Sequence, residues 1–184
     1  LRPIGEIRMD VSDEDLAAAA ALGDRAAFGL LAERSYDRIH ALGFRLTGCR
    51  ADAEDLAQDI LVSLPGKLRG WRGEARYATW LYRVTVNAAR DRFRRRAAHD
   101  RAAAVWGERE VAARTDSAEA QARGAWLREV MSRLPEELRE TLALVLTGLS
   151  HAEVGSVLQV PEGTVSWRVA EAKKRLKQMN EAEA

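Results

Sequence analysis

Apolar residues recur along this chain at steps of three, four and eight positions, a spacing that turns one face of a helix toward a core. The clearest run is Phe28, Leu31, Ile39, Leu42 and Leu46. Alanine is the commonest residue, β-branched residues are sparse, and the four prolines fall near apparent element boundaries. The pattern predicts an all-α protein, with no competing strand signal.

Capping and breaking residues divide the first half of the chain into four helices. Ser12 and Asp24 are good N-caps, and Gly48 is a natural helix stop. Pro65 and Gly66 are expected to break the third helix. The predicted helices cover residues 12–22, 25–47, 52–64 and 78–96, which make a four-helix domain over residues 12–96. Residues 1–11 form an N-terminal extension, in which we expect Met9 to be the natural start.

Residues 97–116 contain only three large apolar side chains, too few to offset the entropy of ordering the segment, which predicts a flexible linker. Beyond the linker, helices are predicted at residues 118–133, 136–146, 150–158 and 162–179, in a second domain over residues 117–184. Only Gln159, Val160 and Pro161 join the last two helices. So tight a connection before a helix with a basic end is typical of a helix-turn-helix.

The 29 basic and 28 acidic residues leave a net charge of +1, which alone argues against a polyanion partner. The charges are segregated, however. Residues 66–101 carry eleven basic and three acidic residues, residues 166–178 carry five and one, and residues 51–59 carry four acidic residues and no basic one. Because 25 of the 29 basic residues are arginine, which can pair with guanine and phosphate, both basic segments are candidates for binding DNA.

Enzymatic chemistry has little support in the sequence. Cys49 is the only cysteine, so neither an internal disulfide nor a cysteine-based zinc site can form. The three histidines lack ligand spacing, and no phosphate-binding glycine loop or nucleophile triad is present. No apolar run approaches the roughly 20 residues of a membrane span, and no secretory signal opens the chain. We expect a cytoplasmic protein without catalytic residues, metal, cofactor, small-molecule substrate or membrane insertion.

Aromatic and basic side chains alternate between the third and fourth helices. Trp71 and Arg72 lie in a glycine-containing loop, and Arg76 and Tyr77 follow it. Aromatic rings stack on unpaired bases, so the mixture suits single-stranded DNA better than a smooth duplex. Trp80 lies on the apolar side of the fourth helix and is expected in the core, whereas Trp71 and Tyr77 suit the core and DNA binding about equally.

The succession of these segments closely resembles the bacterial extracytoplasmic-function (ECF) sigma factors. In the first domain the likeness lies in DAEDLAQD at residues 52–59, TWLYRVTVNAARD at 79–91 and the arginines at 94–96. In the second domain it lies in LPEELRETLAL at 134–144, LSHAEV at 149–154 and PEGTVSWR at 161–168. The resemblance covers about residues 12–178. It implies an alternative sigma factor, which binds core RNA polymerase, directs it to promoters and promotes DNA opening.

The resemblance also implies partners. They are promoter DNA, an anti-sigma factor that holds the protein inactive, and core RNA polymerase through its β′ clamp helices and β flap. The implied polymerase-binding residues are Asp52, Asp55, Gln58 and Asp59. An acidic face suits a basic partner surface, although favourable placement of acids in a first helical turn would also explain Asp52 and Asp55.

The resemblance places two DNA-binding sets. The implied minus-ten residues, of which the first three would capture a flipped base, are Arg72, Arg76, Tyr77, Asn87, Arg90, Arg94 and Arg95. The implied minus-thirty-five residues on the recognition helix are Glu162, Thr164, Ser166, Trp167, Arg168, Lys173 and Lys174. Val165 and Val169, four residues apart, should instead face the core. Along this helix the family usually shows Lys-Ser-Arg and then Arg-Ala-Arg, where this chain has Ser166-Trp167-Arg168 and Glu171-Ala172-Lys173. Gln159 stands where a turn glycine is common. These departures leave the upstream promoter sequence open.

Two other classes of function compete with this interpretation. A conventional helix-turn-helix regulator binds duplex DNA without polymerase and needs only the second domain, so it leaves the aromatic and basic loop and the acidic helix unexplained. A helical adaptor with no DNA role leaves both basic segments unexplained. A solvated arginine-rich surface explains either basic segment alone, but less well both at the ends of helical domains.

Overall fold

Every regular element is a helix in the computed structural model, which describes residues 11–106, 129, 131 and 133–183. The helices are α1 (Asp13–Ala21), α2 (Arg25–Thr47), α3 (Arg50–Leu68), α4 (Tyr77–Trp106), α5 (Glu136–Val145), α6 (His151–Leu158) and α7 (Glu162–Glu183). We call α1–α4 the N-terminal bundle and α5–α7 the C-terminal domain. The all-α prediction is confirmed. Within the described ranges, no helix has the length and hydropathy needed to cross a bilayer.

Local capping sets the helix ends in the first half of the chain. The Ser12 hydroxyl accepts the Asp15 N–H at 3.1 Å, and the Asp24 carboxylate accepts the N–H groups of Ala26 and Ala27 at 2.8 and 3.0 Å. Gly48 ends α2 in the left-handed conformation, with φ of 64°. These bonds satisfy backbone groups that a helix end leaves free, so the predicted helix starts and the predicted stop at Gly48 are confirmed.

α2 forms the centre of the N-terminal bundle and packs against α1, α3 and α4. Leu31, Ile39, Leu42 and Leu46 are buried as the apolar spacing predicts. Gly43 is buried as well, and a Cβ atom there would lie 3.3 Å from Leu56 of α3. The missing side chain therefore lets α2 and α3 approach closely.

α3 continues through Pro65 to Leu68, so the prediction that Pro65 and Gly66 break it is wrong. A proline inside a helix costs about 3 kcal/mol, because it removes one hydrogen bond and crowds the preceding turn. Here only one further turn follows it. Leu64 and Leu68 are both fully buried, and their burial offsets the cost.

The apolar spacing predicts Trp80, Leu81, Val84 and Ala88 on the inner side of α4, but of these only Leu81 is fully buried. Tyr77, Leu81, Thr85 and Ala89, spaced four residues apart, are buried, whereas Trp80 is only partly buried. The Thr85 hydroxyl donates to the Leu81 carbonyl at 2.9 Å. Because that bond satisfies the hydroxyl inside the helix, a polar residue can face the core without an unpaired group.

α4 also runs ten residues farther than we predicted, to Trp106. Residues 97–106 are therefore helical rather than part of a flexible linker, while residues 107–116 lie outside the described residues. The physical reason is helix propagation. Adding a residue to an existing helix is far easier than starting a new one, and this stretch is rich in alanine.

α6 and α7 form the predicted helix-turn-helix. Ser150 caps α6 in a reciprocal capping box with Glu153. Gln159 takes the left-handed conformation, with φ of 58°, at a position where glycine is common. Gly155 lies so close to the turn that a Cβ atom on it would sit 2.7 Å from the Val160 carbonyl oxygen. The turn is therefore held tightly against α6.

Replacing Gly155 with alanine should destabilise the C-terminal domain. The added methyl would overlap a backbone atom that cannot rotate away, and overpacking of this kind costs about 1–3 kcal/mol. Urea unfolding of the purified chain measures the change. Gly29→Ala is the control, because Gly29 is exposed in α2 with open space around it, and alanine there should stabilise the chain by about 0.5–1 kcal/mol. Equal stability of the Gly155 variant and the parent would contradict the close approach.

Candidate nucleic-acid and protein interfaces

The aromatic and basic loop comprises residues 69–76, between α3 and α4. Arg72 and Arg76 are exposed, and Arg72 makes only a long 3.9 Å ion pair with Glu74. Trp71 is half-buried and lies edge-on to Tyr77, with ring centroids 6.2 Å apart. The loop thus presents two exposed guanidinium groups, and the aromatic pair of Trp71 and Tyr77 lies at the same junction.

Tyr77 belongs to the core, although we expected its ring to capture a DNA base. Its side chain is fully buried, and its hydroxyl shares a 2.8 Å hydrogen bond with the Ser35 hydroxyl of α2. Burial raises the pKa of Tyr77 to about 12, despite the bond with Ser35. The ring cannot reach a base in this conformation. The prediction failed because a tyrosine beside a loop has the same local sequence whether it points outward or inward.

The basic stripe is the face of α4 that carries Arg83, Asn87, Arg90 and Arg94, spaced three or four residues apart. Asn87 and Arg94 are exposed, as is the neighbouring Arg95. Arg94 forms an ion pair with Asp91 at 2.5 Å, whereas Arg95 makes only a 3.3 Å bond to the Asp91 carbonyl. Of these two arginines, Arg95 keeps more of its charge available to a phosphate.

Arg90 is bound by the C-terminal domain. Its guanidinium donates twice to the carboxylate of Glu140, both times at 2.5 Å, and Glu136 lies 3.6 Å away. The side chain of Glu140 is only 4% exposed. The hydrogen bond with Glu140 raises the pKa of Arg90, because it stabilises the charged form. In this arrangement Arg90 is not available to DNA.

Other contacts across the domains involve the same side of α4. The Arg83 guanidinium donates to the Ser156 carbonyl of α6 at 2.7 Å. Arg139 of α5 lies over the Phe93 ring, 4.9 Å from its centroid, in a cation–π contact. The interface between the domains therefore overlaps the basic stripe. Sequence reasoning missed this interface, because its residues are far apart in the chain.

The acidic face is the part of α3 that carries Asp52, Asp55, Gln58 and Asp59. It is partly neutralised by Arg92 of α4, whose guanidinium lies 3.3, 3.0 and 3.6 Å from carboxylate oxygens of the three aspartates. Asp59 nevertheless keeps 73% of its side chain exposed, and Gln58 is exposed beside it. Gln58 and Asp59, which we call the outer half of the acidic face, are thus the part most accessible to a partner.

Val62 follows one turn beyond the acidic face and is 83% exposed. We did not predict it as a functional residue. Its spacing in the sequence could have identified it. Val62 lies three residues after Asp59 and four after Gln58, and it therefore shares their side of α3. A large exposed apolar group beside an acidic edge is typical of a protein interface.

α7 presents most of the predicted recognition residues to solvent. Glu162, Ser166, Trp167, Lys173 and Lys174 are exposed, and Thr164 and Arg168 are half-buried. Trp167 is 60% exposed despite its large apolar ring. The inward residues Val165 and Val169 are buried as expected. The helix therefore separates a core face from an outer face that can enter a groove.

His151 is a further residue at this surface that sequence reasoning did not assign. Its Nδ1 atom lies 2.9 Å from the Ser166 hydroxyl oxygen, which links the first residue of α6 to the outer face of α7. Ser166 is thus already engaged, and it is less available to DNA than its exposure suggests.

Comparison with known proteins identifies the family. The chain matches the family models for Sigma-70 region 2 over residues 31–99 and Sigma-70 region 4 over residues 124–176. It is 36% identical to the ECF RNA polymerase sigma factor SigM of Mycobacterium tuberculosis over 170 residues, which cover 92% of this chain and 85% of SigM. It is 27% identical to the ECF RNA polymerase sigma-E factor of Escherichia coli, with 90% of this chain and 93% of that protein covered.

Solved structures agree with the sequence comparison. CnrH, in complex with the cytosolic domain of CnrY, matches with a TM-score of 0.70 at 26% identity and covers 94% of this chain and 99% of its own. RpoE of Bartonella quintana, in complex with the anti-sigma factor NepR, has the same fold, with a TM-score of 0.64 at 20% identity over 83% of this chain and 95% of its own.

The two-domain helical fold and these matches define a transcription initiation factor. The chain belongs to the ECF RNA polymerase sigma factors.

Arg95→Ala should lower the slope of log affinity for promoter DNA against log salt by about one unit, because one phosphate contact is lost. Arg94→Ala should lower it by less, since Asp91 already partly neutralises Arg94. Fluorescence anisotropy of the polymerase holoenzyme on promoter DNA, measured across a salt series, gives the slope. Arg25→Ala, an exposed arginine on α2, is the control and should leave it unchanged. The same slope for Arg95→Ala and the parent protein would show that Arg95 contacts no phosphate.

Proposed function

We propose that this ECF sigma factor brings core RNA polymerase to its promoters in the cytoplasm, with the N-terminal bundle opening the minus-ten element and the C-terminal domain reading the minus-thirty-five element. The observation that carries the proposal is the presence of an exposed basic surface on each domain, one on the loop and α4 and the other on α7. Two DNA contacts on one chain strengthen each other, because the first raises the effective concentration of the second.

The minus-ten surface combines the loop with the outer part of α4. Arg72 and Arg76 contact the extruded base and its phosphate, while Asn87, Arg94 and Arg95 follow the adjoining strand. Opening the duplex costs a few kcal/mol per unstacked base, which capture of the bases and phosphates offsets without ATP. Arg90 joins this surface only after it leaves Glu140, and Tyr77 supports the loop from below.

The minus-thirty-five surface is the outer face of α7. Glu162 and Thr164 lie in its first turn, where recognition helices usually contact base edges, and Arg168, Lys173 and Lys174 approach the flanking phosphates. Trp167 offers an apolar contact where the family usually has serine, and a thymine methyl group is a suitable partner. Such a contact would favour a promoter sequence different from that of relatives with serine at this position.

The outer half of the acidic face binds core RNA polymerase. Gln58 and Asp59 supply polar contacts to the β′ clamp helices, and Val62 supplies a central apolar contact. Asp52 and Asp55 act mainly through their pairing with Arg92. The C-terminal domain meets the β flap.

Asp59→Arg should weaken binding to core RNA polymerase by at least about tenfold, because it places a like charge against a basic surface. Affinity is measured with labelled sigma factor and purified core enzyme, and transcription is measured from a cognate promoter. Asp37→Arg, the same charge change at an exposed position of α2, is the control. Parent-like core binding by the Asp59 variant would exclude this face. Failure of the parent protein to support transcription would overturn the proposed function.

We further propose that an anti-sigma factor keeps the protein inactive by holding its two domains together. In this structure the C-terminal domain occupies Arg90 and Arg83 of the basic stripe. CnrH, whose structure matches both domains of this chain, was solved in complex with CnrY. A partner that clasps the domains would stabilise an arrangement in which part of the minus-ten surface is covered.

Glu140→Ala should favour separation of the domains, because the charge-assisted bonds to Arg90 are lost. We expect about tenfold tighter binding of the free protein to a single-stranded minus-ten oligonucleotide. Fluorescence energy transfer between dyes on the two domains should fall in parallel. Glu137→Ala, an exposed glutamate on the same helix, is the control. Unchanged energy transfer and oligonucleotide affinity in the Glu140 variant would mean that the ion pair does not hold the domains together.

A further inference from the structure

The start of α4 lacks a side-chain cap of its own. Arg76 is the N-cap residue, because its carbonyl accepts the first helical bond, from the Trp80 N–H at 3.1 Å. An N-cap residue usually supplies a side-chain acceptor for a free N–H of the first turn. Arginine has no acceptor, so the cap must come from elsewhere in the molecule.

Glu14 of α1 supplies an acceptor from far away in the sequence. The Tyr77 N–H donates to its Oε1 atom at 3.0 Å, across a separation of 63 residues. The carboxylate also lies at the positive end of the α4 dipole, where negative charge is favourable. The geometry at the junction of loop and helix is thus set partly by α1.

The first turn of α1 is itself fixed on α2. The neighbouring Asp13 pairs with Arg34 at 3.1 Å and with Arg38 at 2.5 Å. Although burial raises the pKa of Asp13, the hydrogen bonds from Arg38 and Arg34 bring it below its ordinary value. Arg34 also donates to the Val11 carbonyl at 2.8 Å. These contacts restrain the first turn of α1, and with it the position of Glu14.

Tyr77 is held through its backbone N–H and its side-chain hydroxyl. Its backbone N–H binds Glu14 of α1, and its hydroxyl binds Ser35 of α2. Since Arg76 directly precedes Tyr77, these bonds restrain the position from which the Arg76 side chain leaves the backbone. The buried ring and the remote cap act on the same residue.

An open surface groove of about 620 Å³ lies between the first turn of α1 and the loop. Its lining residues are Asp13, Glu14, Arg38, Gly73, Glu74, Ala75, Arg76 and Ala78. Asp13 and Glu14 thus line one side of this groove, and loop residues 73–76 line the opposite side. Movement of α1 would change the shape of that groove.

We propose that Glu14 is a positioning residue for minus-ten recognition: by accepting the Tyr77 N–H, it fixes the start of α4 and holds Arg76 and the loop in the orientation that captures single-stranded DNA. The proposal rests on the proposed function of the loop. It assigns α1 a part in promoter opening, although α1 itself carries no DNA contact in that function.

Two substitutions separate the acceptor from the charge. Glu14→Ala removes both, whereas Glu14→Gln keeps a carbonyl oxygen that can accept the same N–H. Asp37→Ala, which removes an exposed carboxylate of the neighbouring helix α2, is the control. We expect the affinity of the holoenzyme for a single-stranded minus-ten oligonucleotide to fall about tenfold in Glu14→Ala, to stay within about threefold in Glu14→Gln, and to remain unchanged in Asp37→Ala.

A second measurement is made on the free chain. Hydrogen exchange of the Tyr77 amide should be faster in Glu14→Ala than in Glu14→Gln or the parent. In a separate measurement, binding of duplex minus-thirty-five DNA by the holoenzyme should be the same for all three proteins. Three results would overturn the proposal: parent-like oligonucleotide affinity in Glu14→Ala, equal losses in both Glu14 variants, or parallel loss of minus-thirty-five binding. Failure of the proposed function itself appears separately, as absence of oligonucleotide binding by the parent holoenzyme, while the exchange measurement still tests the cap.

Discussion

A single guanidinium group constrains how this protein can work. Arg90 makes two short hydrogen bonds to Glu140, which lies almost fully buried in the C-terminal domain. A planar guanidinium that holds one carboxylate in this way cannot at the same time hold a phosphate with the same nitrogen atoms. DNA binding through Arg90 and close association of the two domains are therefore alternatives. The structure describes the state in which the two domains are associated.

The sequence does not show which basic residues are already paired with acidic side chains. The basic segment of residues 66–101 contains arginines that already have acidic partners, including Arg90, Arg92 and Arg94. Their charges hold helices and domains together as well as attracting DNA. The exposed basic residues of this segment without a close acidic partner include Arg76 and Arg95. Fewer charges are therefore open to a polyanion than the count of basic residues indicates.

The sequence predicted those features that depend on neighbouring residues. Ser12, Asp24 and Gly48 act within one turn of the chain, so they could be recognised as helix ends. The inward positions of Val165 and Val169 followed from helical spacing. Features that depend on distant residues could not be predicted in this way. Burial of Leu68 keeps α3 helical beyond its proline, and the role of Tyr77 depends on residues 42 and 63 positions earlier.

The same distinction applies to the candidate sites. Family likeness proposes residues on particular helices, but it does not show which of their side chains already have partners. Arg90 and Ser166 have partners in the other domain or the other helix, and the exposed Val62 had no assigned role. Whether a side chain is exposed or paired depends on how helices pack against one another. A sequence motif gives only the order of residues along one helix.

Arg92 has a consequence for the entropy of polymerase binding. By pairing with Asp52, Asp55 and Asp59, it restricts the side-chain rotamers of the acidic face before any partner arrives. A preorganised surface loses less conformational freedom on association, and more of its contact energy is then available as affinity. In the proposed function, Arg92 therefore acts on recognition of the polymerase from the adjacent helix, by holding the aspartates of the acidic face.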